Sequence, residues 1–269
     1  MRWRGVAEMP AGRRHLTGRT RQLFIAGQTL VVLLAVYVYF RVRNLTEGSR
    51  ELALEHAHDV VELEKALGIY VEPQLQEPFI TSPTLGKVAD SVYIYGHWPV
   101  IVIVMIWTAW RHRAVFLRLR DGMLISGFLG MFVFATYPLA PPRLTGLGLV
   151  DTVTQRTESY RILQPPQFTN QYAAMPSLHA GWDLLVGIAI VSASSVLAVK
   201  VIGYLLPVLM GISVVVTANH FVLDVVAGVS LALLGHAIAA WPARQRARRG
   251  EPGTHREPEM TGHVVQERP

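Results

Sequence analysis

Hydrophobic residues in this chain fall into long, nearly unbroken runs separated by short polar clusters, the pattern of membrane crossings rather than of alternating strands. A crossing helix needs about 20 mostly apolar residues. Six segments meet that requirement: 22–40, 88–110, 122–139, 180–199, 201–218 and 221–241. The fourth and fifth nearly touch at Lys200, and the fifth and sixth meet at Asn219 and His220, so each pair reads as a tight helical hairpin. Asn219 is placed to cap the sixth helix. Residues 49–67 are too charged to span, yet Leu52, Val60, Leu63 and Leu67 fall roughly on one side of a helix that Gly68 would stop. Two readings of that stretch stand: an amphipathic helix on the outer face, or a solvated connector. The expected fold is all-α, a polytopic membrane protein of six transmembrane helices with an outer-face amphipathic helix. It divides into a basic N-terminal segment 1–21, a six-helix catalytic domain 22–241, and a tail 242–269 rich in Arg, Glu, Gly and Pro that is expected to be disordered. The first run lacks a small-residue cleavage motif and is long enough to span, so it reads as a retained helix.

Composition agrees with this reading. The chain is 51% hydrophobic and 16% charged, against about 25% charged in soluble domains. Its net charge of +6 would raise nucleic acid as a partner, but the arginines sit beside apolar runs and form no basic stripe interleaved with aromatics, so no nucleic-acid role is assigned. They read instead as topology signals. Arg2, Arg4, Arg13, Arg14, Arg19 and Arg21 precede the first span; Arg111, Arg113, Arg118 and Arg120 lie between the second and third; Arg244, Arg246, Arg248 and Arg249 follow the sixth. With six crossings these groups and Lys200 share one side, which makes both termini cytoplasmic in what is expected to be the plasma membrane. The acid-rich segment 41–87 and the loop 140–176 then lie on the exoplasmic side. The absence of cysteine excludes disulfides, thiolate metal sites and cysteine nucleophiles.

Two histidines open apolar stretches, and each has an aspartate one helical turn on: His179 with Asp183, and His220 with Asp224. Ionisable residues in apolar spans mark function by default. Residues four apart on a helix share a face, so Asp224 is placed to hold one ring nitrogen of His220 and leave the other as a lone-pair donor able to attack phosphorus. His179 suits the leaving oxygen as general acid. Arg143, at the exit of the third span, suits equatorial phosphate oxygens or is an ordinary interfacial arginine. Ser177 and the first amides of the fourth span offer further anion donors. Asp183 orients the acid, binds acceptor hydroxyls, or is a polar residue at a wet pocket mouth. His97, with Tyr93 and Tyr95, lines a headgroup pocket or belongs to an aromatic belt. Trp98, Trp182 and Trp241 read as membrane anchors, and His56 and His58 as solvent-facing. Two His and two Asp also form a possible zinc donor set. The spacing of four suits tautomer control as well, and no H-E-x-x-H occurs, so no metal or cofactor is assigned.

The segments Met175-Pro176-Ser177-Leu178-His179 and His220-Phe221-Val222-Leu223-Asp224 resemble the second and third motifs, P-S-G-H and S-R-x5-H-x3-D, of the type 2 phosphatidic acid phosphatase superfamily. Ala140-Pro141-Pro142-Arg143 upstream, together with Glu64-Lys65-Ala66-Leu67-Gly68, Glu72-Pro73, Leu75-Gln76 and His97, is similar to the branch containing fungal inositol phosphorylceramide synthase, the inositolphosphotransferases. The resemblance covers roughly residues 64–235. It implies a metal-independent mechanism at the exoplasmic face, with His220 as nucleophile, Asp224 as its orienter and His179 as acid and base; Arg143 corresponds to the first-motif arginine. Three positions depart from the pattern: Leu178 stands for the motif glycine, Val214 for the third-motif arginine, and Thr136 for the first-motif lysine. Either Arg161 or Arg156 from the loop then supplies phosphate-binding charge beside Arg143, or the phosphate is held differently.

The activity so implied is transfer of a phospho-headgroup from a lipid donor to a hydroxyl acceptor through a phosphohistidine. The rival enzyme reading is a lipid phosphate or pyrophosphate phosphatase with water as acceptor. A non-enzymatic transporter or scaffold is the third. The expected partners are a phospholipid or other lipid phosphate and the membrane itself; oligomeric state is left open.

Overall fold

The computed structural model describes residues 18–45, 48–153 and 170–249. Among them the chain is helical throughout: α1 (Gly18–Leu45), α2 (Arg50–Ala66), α3 (Glu72–Thr81), α4 (Pro83–Tyr95), α5 (Trp98–Arg111), α6 (Arg113–Thr136), α7 (Leu178–Ala193), α8 (Leu197–Val216) and α9 (Val222–Arg249). The helix ends follow local chemistry. Ser49 accepts the Leu52 N–H to start α2, Gly68 at φ +70° turns the chain away from its end, and Ser82 with Pro83 behind it opens α4.

Helix α7 lies at the centre and packs against α5, α6, α8 and α9; α9 also packs along α6, and α1 docks on α6. The main core joins Ile101 and Val104 of α5, Leu119 and Phe134 of α6, Leu178, Trp182, Leu185 and Val186 of α7, and Ala232 of α9. The opposite faces of these helices keep large apolar residues exposed, among them Ile103, Ile106, Phe128, Phe132, Ile202, Leu205 and Leu234. An apolar surface of this extent needs a nonaqueous solvent.

Three helices are long and apolar enough to cross a membrane, within Arg113–Thr136, Leu197–Val216 and Val222–Pro242, and four if α4 and α5, bent by 44° at their junction, count as one span. Shorter apolar stretches lie at Gln22–Val38 and Leu178–Ala193. Length and apolarity alone therefore give three or four crossings among the described residues, not clearly the expected six.

Several boundaries move. The second span is broken at Gly96–His97, where His97 takes φ −95°, ψ −91° before α5 starts. Arg113, Arg118 and Arg120 sit on the first turns of α6 and not in a loop. Lys200 lies inside α8, and the turn before it is Ser194–Val196. Helix α9 continues past Trp241 to Arg249. The inward face of α2 is Ala53, Ala57, Val60, Val61 and Glu64, spaced as one helical stripe, while Leu52, Leu63 and Leu67 are exposed. Small residues allow α2 to lie close against the 139–140 segment and Phe221, which is why they, and not the leucines, take the buried side.

Candidate active site

Three segments far apart in sequence meet above the core, and backbone hydrogen bonds hold them there. Leu139 N–H donates to Tyr172 O and Ala174 N–H to Leu139 O, an isolated parallel bridge between the exit of α6 and the approach to α7. Ala140 N–H donates to Ala53 O on α2, and Arg143 N–H donates to Ala218 O in the α8–α9 link. Ser177 N–H donates to Asp224 O, which pins the start of α7 to the first turn of α9. Gly228 makes this last contact possible. A Cβ there would sit 2.0 Å from Ser177 O, so only glycine lets the two backbones approach.

The α8–α9 link is a tight reversal. Val214 O accepts the N–H groups of both Asn219 and His220, and Ala218 takes a left-handed φ of 55°. This turn delivers His220 to the centre of the cluster. Its Nδ1 lies 2.8 Å from Ala174 O and 3.4 Å from Asp224 Oδ2. A carbonyl only accepts, so Nδ1 bears a proton, and in the neutral ring the lone pair is then on Nε2. Asp224 is wholly buried and its Oδ2 also accepts the Phe221 N–H at 2.9 Å. The carboxylate therefore caps α9, the role expected of Asn219, while standing beside the imidazole.

The His179 ring centroid is 5.8 Å from that of His220. His179 is only partly covered, whereas His220 and His97 are buried. On its other side His179 meets the His97 ring at 4.3 Å and stacks on Tyr93 at 4.9 Å. Asp183 Oδ1 bonds to His97 Nδ1 at 2.8 Å, both groups almost fully buried. The carboxylate one turn along from His179 is thus engaged by the next imidazole in the stack. Trp182 lies parallel to His97 and donates its indole N–H to Ser126 Oγ, so it is a core residue and not a membrane anchor. Trp241 remains exposed.

Arg143 bonds through a terminal nitrogen to Asn219 Oδ1 at 2.5 Å, next to His220, and its Nε lies 3.5 Å from Asp151. Ser177 is buried, its hydroxyl accepting the Ala180 N–H at the start of α7. Arg161 and Arg156 lie outside the described residues. The three departures from the motif pattern have different surroundings. Leu178 packs on Gly130 of α6. Val214 is fully buried among Tyr93, Met210 and Val153. Thr136 points to the outside of α6 and bonds to its own helix. Among the described residues no three His, Asp or Glu groups converge as metal ligands would.

A sequence model of the PAP2 superfamily matches residues 58–238. The chain belongs to the PAP2 superfamily. The matched region runs from α2 into α9 and contains His97, Arg143, Ser177, His179, Asp183, His220 and Asp224. No curated protein and no solved structure matches the chain. Superfamily membership together with membrane-crossing helices supports a membrane enzyme of lipid phosphatase or phosphotransferase type.

Three contributors had not been assigned a place in the site. The Ala174 carbonyl has no side-chain signature. Glu64 and Glu72, noted for their resemblance to one branch, reach the first turn of α9: Glu72 Oε1 accepts the Val222 N–H at 2.9 Å, and Glu64 Oε1 accepts the Leu223 N–H at 2.8 Å. A carboxylate on the buried stripe of α2 was the available signal. His56, expected to face solvent, stacks on Tyr137 and bonds to Pro138 O at 2.7 Å; His58 is exposed.

Proposed function

We propose that this PAP2-superfamily protein transfers a phospho-headgroup from a lipid donor to a hydroxyl acceptor, through a covalent phosphohistidine on His220. The observation that supports this is the fixed tautomer of His220: Nδ1 is committed to Ala174 O with Asp224 beside it, and the ring stands 5.8 Å from His179. In the first step Nε2 attacks phosphorus while the P–O bond to the leaving group breaks, and His179 donates its proton to the departing oxygen. Asp224 and the Ala174 carbonyl stabilise the imidazole as it gains positive charge. In the second step His179 takes the proton of an incoming hydroxyl, whose oxygen attacks phosphorus as the P–N bond breaks. Arg143 is held beside His220 by Asn219, where its guanidinium suits phosphate oxygens. Arg161 would add charge from the loop, and Ser177 with the α7 amides would add donors.

Six crossings follow if α1, the bent α4–α5 pair, α6, α7, α8 and α9 each span once. The arginine distribution then puts both termini in the cytoplasm and the histidine cluster at the exoplasmic face of the plasma membrane. An acceptor alcohol, as in the inositolphosphotransferases, is the reading favoured by the motif departures: with Val214 and Thr136 in place of two cations, the site suits a phosphodiester, which has less charge than a phosphomonoester.

Reconstitution with a lipid donor labelled in the phosphate tests the proposal. A new labelled lipid formed only when an acceptor is present is the expected result. Release of free phosphate would replace transfer by hydrolysis. Neither product from any lipid phosphate, with His220 unlabelled after acid-free quenching, would overturn the enzymatic reading.

A further inference from the structure

The first turn of α9 presents three consecutive N–H groups, and three carboxyl groups accept them: Asp224 takes Phe221, Glu72 takes Val222 and Glu64 takes Leu223. A helix N-terminus tolerates negative charge, but one end does not balance three carboxylates. Glu64 and Glu72 are fully buried, come from different helices and converge on the consecutive N–H groups of Val222 and Leu223. Each has one oxygen committed to α9 and the other, Oε2, without a donor. Two buried carboxylate oxygens with no cation between them repel, unless one bears a proton and donates it to the other.

We propose that Glu64 and Glu72 are positioning residues for His220: they share one proton across their inner oxygens and so clamp the α9 turn that fixes the imidazole. This rests on the reading of His220 as the reactive group. Burial and the adjacent Glu72 carboxylate push Glu64 up to about 8. Among the described residues the ionisable groups facing Glu64 are Glu72 on α3, Asp224 on α9 and Tyr70 in the α2–α3 link, and no cation is among these. At neutral pH the cluster thus holds Glu64 neutral. The clamp joins α2 and α3 to the residues that immediately follow His220, so loosening it frees the ring from Ala174 O. Above about pH 8 the shared proton leaves, like charges face one another, and the clamp opens.

The test uses the full-length protein in detergent with 15N-labelled histidine. In the wild type the His220 signal should report the Nδ1–H tautomer at pH 7. Glu64→Ala and Glu72→Ala should mix its tautomers and cut kcat at least tenfold with KM changed less than threefold. Glu64→Gln, whose amide oxygen still accepts from Leu223 and whose NH2 donates to Glu72, should rescue both. The pH dependence has a definite sign. The folded state holds the Glu64 proton more tightly than the unfolded chain, so its stabilising contribution is present at low pH and is lost as pH rises from the ordinary carboxyl value of 4.5 to about 8. The melting temperature of Glu64→Gln minus that of the wild type should therefore grow across that range and level off above it. An unchanged His220 tautomer in both alanine variants, or a melting difference flat with pH, would overturn the proposal. Because neither readout needs turnover, a wild type that transfers no phosphate while showing both effects would reject the enzymatic reading and leave the clamp standing.

Discussion

His220 Nδ1 donates to the backbone carbonyl of Ala174 at 2.8 Å. The bond crosses from the start of α9 to the segment leading into α7, and it assigns the two ring nitrogens different tasks. A side-chain carboxylate alone could set the tautomer; here a main-chain oxygen does so, and Asp224 stands 3.4 Å away as the charged neighbour. This division of roles leads to predictions that differ from those of a simple His–Asp pair.

His220→Ala should remove the covalent intermediate and lower turnover by about 10⁴ or more, since a nucleophile is not replaced by its neighbours. Mass spectrometry of protein quenched at alkaline pH checks it: the phosphorylated His220 peptide should appear in the wild type and be absent in the variant.

Asp224→Asn should be milder than the roughly 10⁴-fold loss seen when an orienting aspartate is removed from a serine-protease triad. Ala174 O still holds Nδ1–H, so the loss should be roughly 10²-fold and confined to the stabilisation of the imidazolium. A full 10⁴-fold loss in single-turnover kinetics, with the fold intact by circular dichroism, would mean that the carboxylate and not the carbonyl sets the ring.

Asp183→Asn should act on His179 through His97, because Asp183 Oδ1 bonds to His97 and that ring abuts His179 at 4.3 Å. The expected outcome is a shift in the pH dependence of kcat with substrates that have poor leaving groups, and little change with an activated aryl phosphate, which needs no general acid. Equal loss on both substrates would count against an acid role for His179.

Gly228→Ala should destabilise the protein. Its Cβ would meet Ser177 O at 2.0 Å, and backbone on both sides leaves no flexible group to give way. Overpacking of this kind costs about 1–3 kcal/mol. Because Ser177 N–H bonds to Asp224 O, moving α7 from α9 also separates His179 from His220. Lower thermal stability together with reduced kcat is expected. A variant that melts later or turns over at the wild-type rate would show that the helix crossing does not set the spacing of the two rings.

Chelation should leave turnover unchanged under the metal-independent mechanism. Titration of the purified enzyme with EDTA, followed by add-back of zinc or magnesium, checks this; loss on chelation and recovery on add-back would require a metal step.

The all-helical, membrane-crossing character was legible in the chain because long apolar runs are local signals. The runs located α8 to within four residues, but α6 begins at Arg113 and not at 122, and α9 runs to Arg249 and not 241; the amphipathic stretch before Gly68 located α2. The face of α2 was misjudged by about one position. Leucine is the stronger hydrophobe, but in this fold the buried side must fit close to Leu139 and Phe221, and Ala53 and Ala57 fit where leucine would not. The break at His97 was not read from the run 88–110, although Gly96 and Pro99 flank it as local signals, and the packing of His97 against Asp183, His179 and Trp182 holds the kink in place.

The sequence by itself singled out the residues to which the proposed chemistry is given: His179, His220, Asp224 and Arg143 stand out as ionisable groups at the edges of apolar spans, where desolvation makes an idle charge costly. The partners of those groups were decided only by tertiary structure. Asp183 went to His97, Asn219 to Arg143, the cap of α9 to three carboxyl groups, and the ring of His220 to a main-chain oxygen. Spacing along a helix says which side chains share a face, but a hydrogen bond is also set by what the neighbouring helix brings within 3 Å, and a backbone carbonyl looks the same at every position of a sequence.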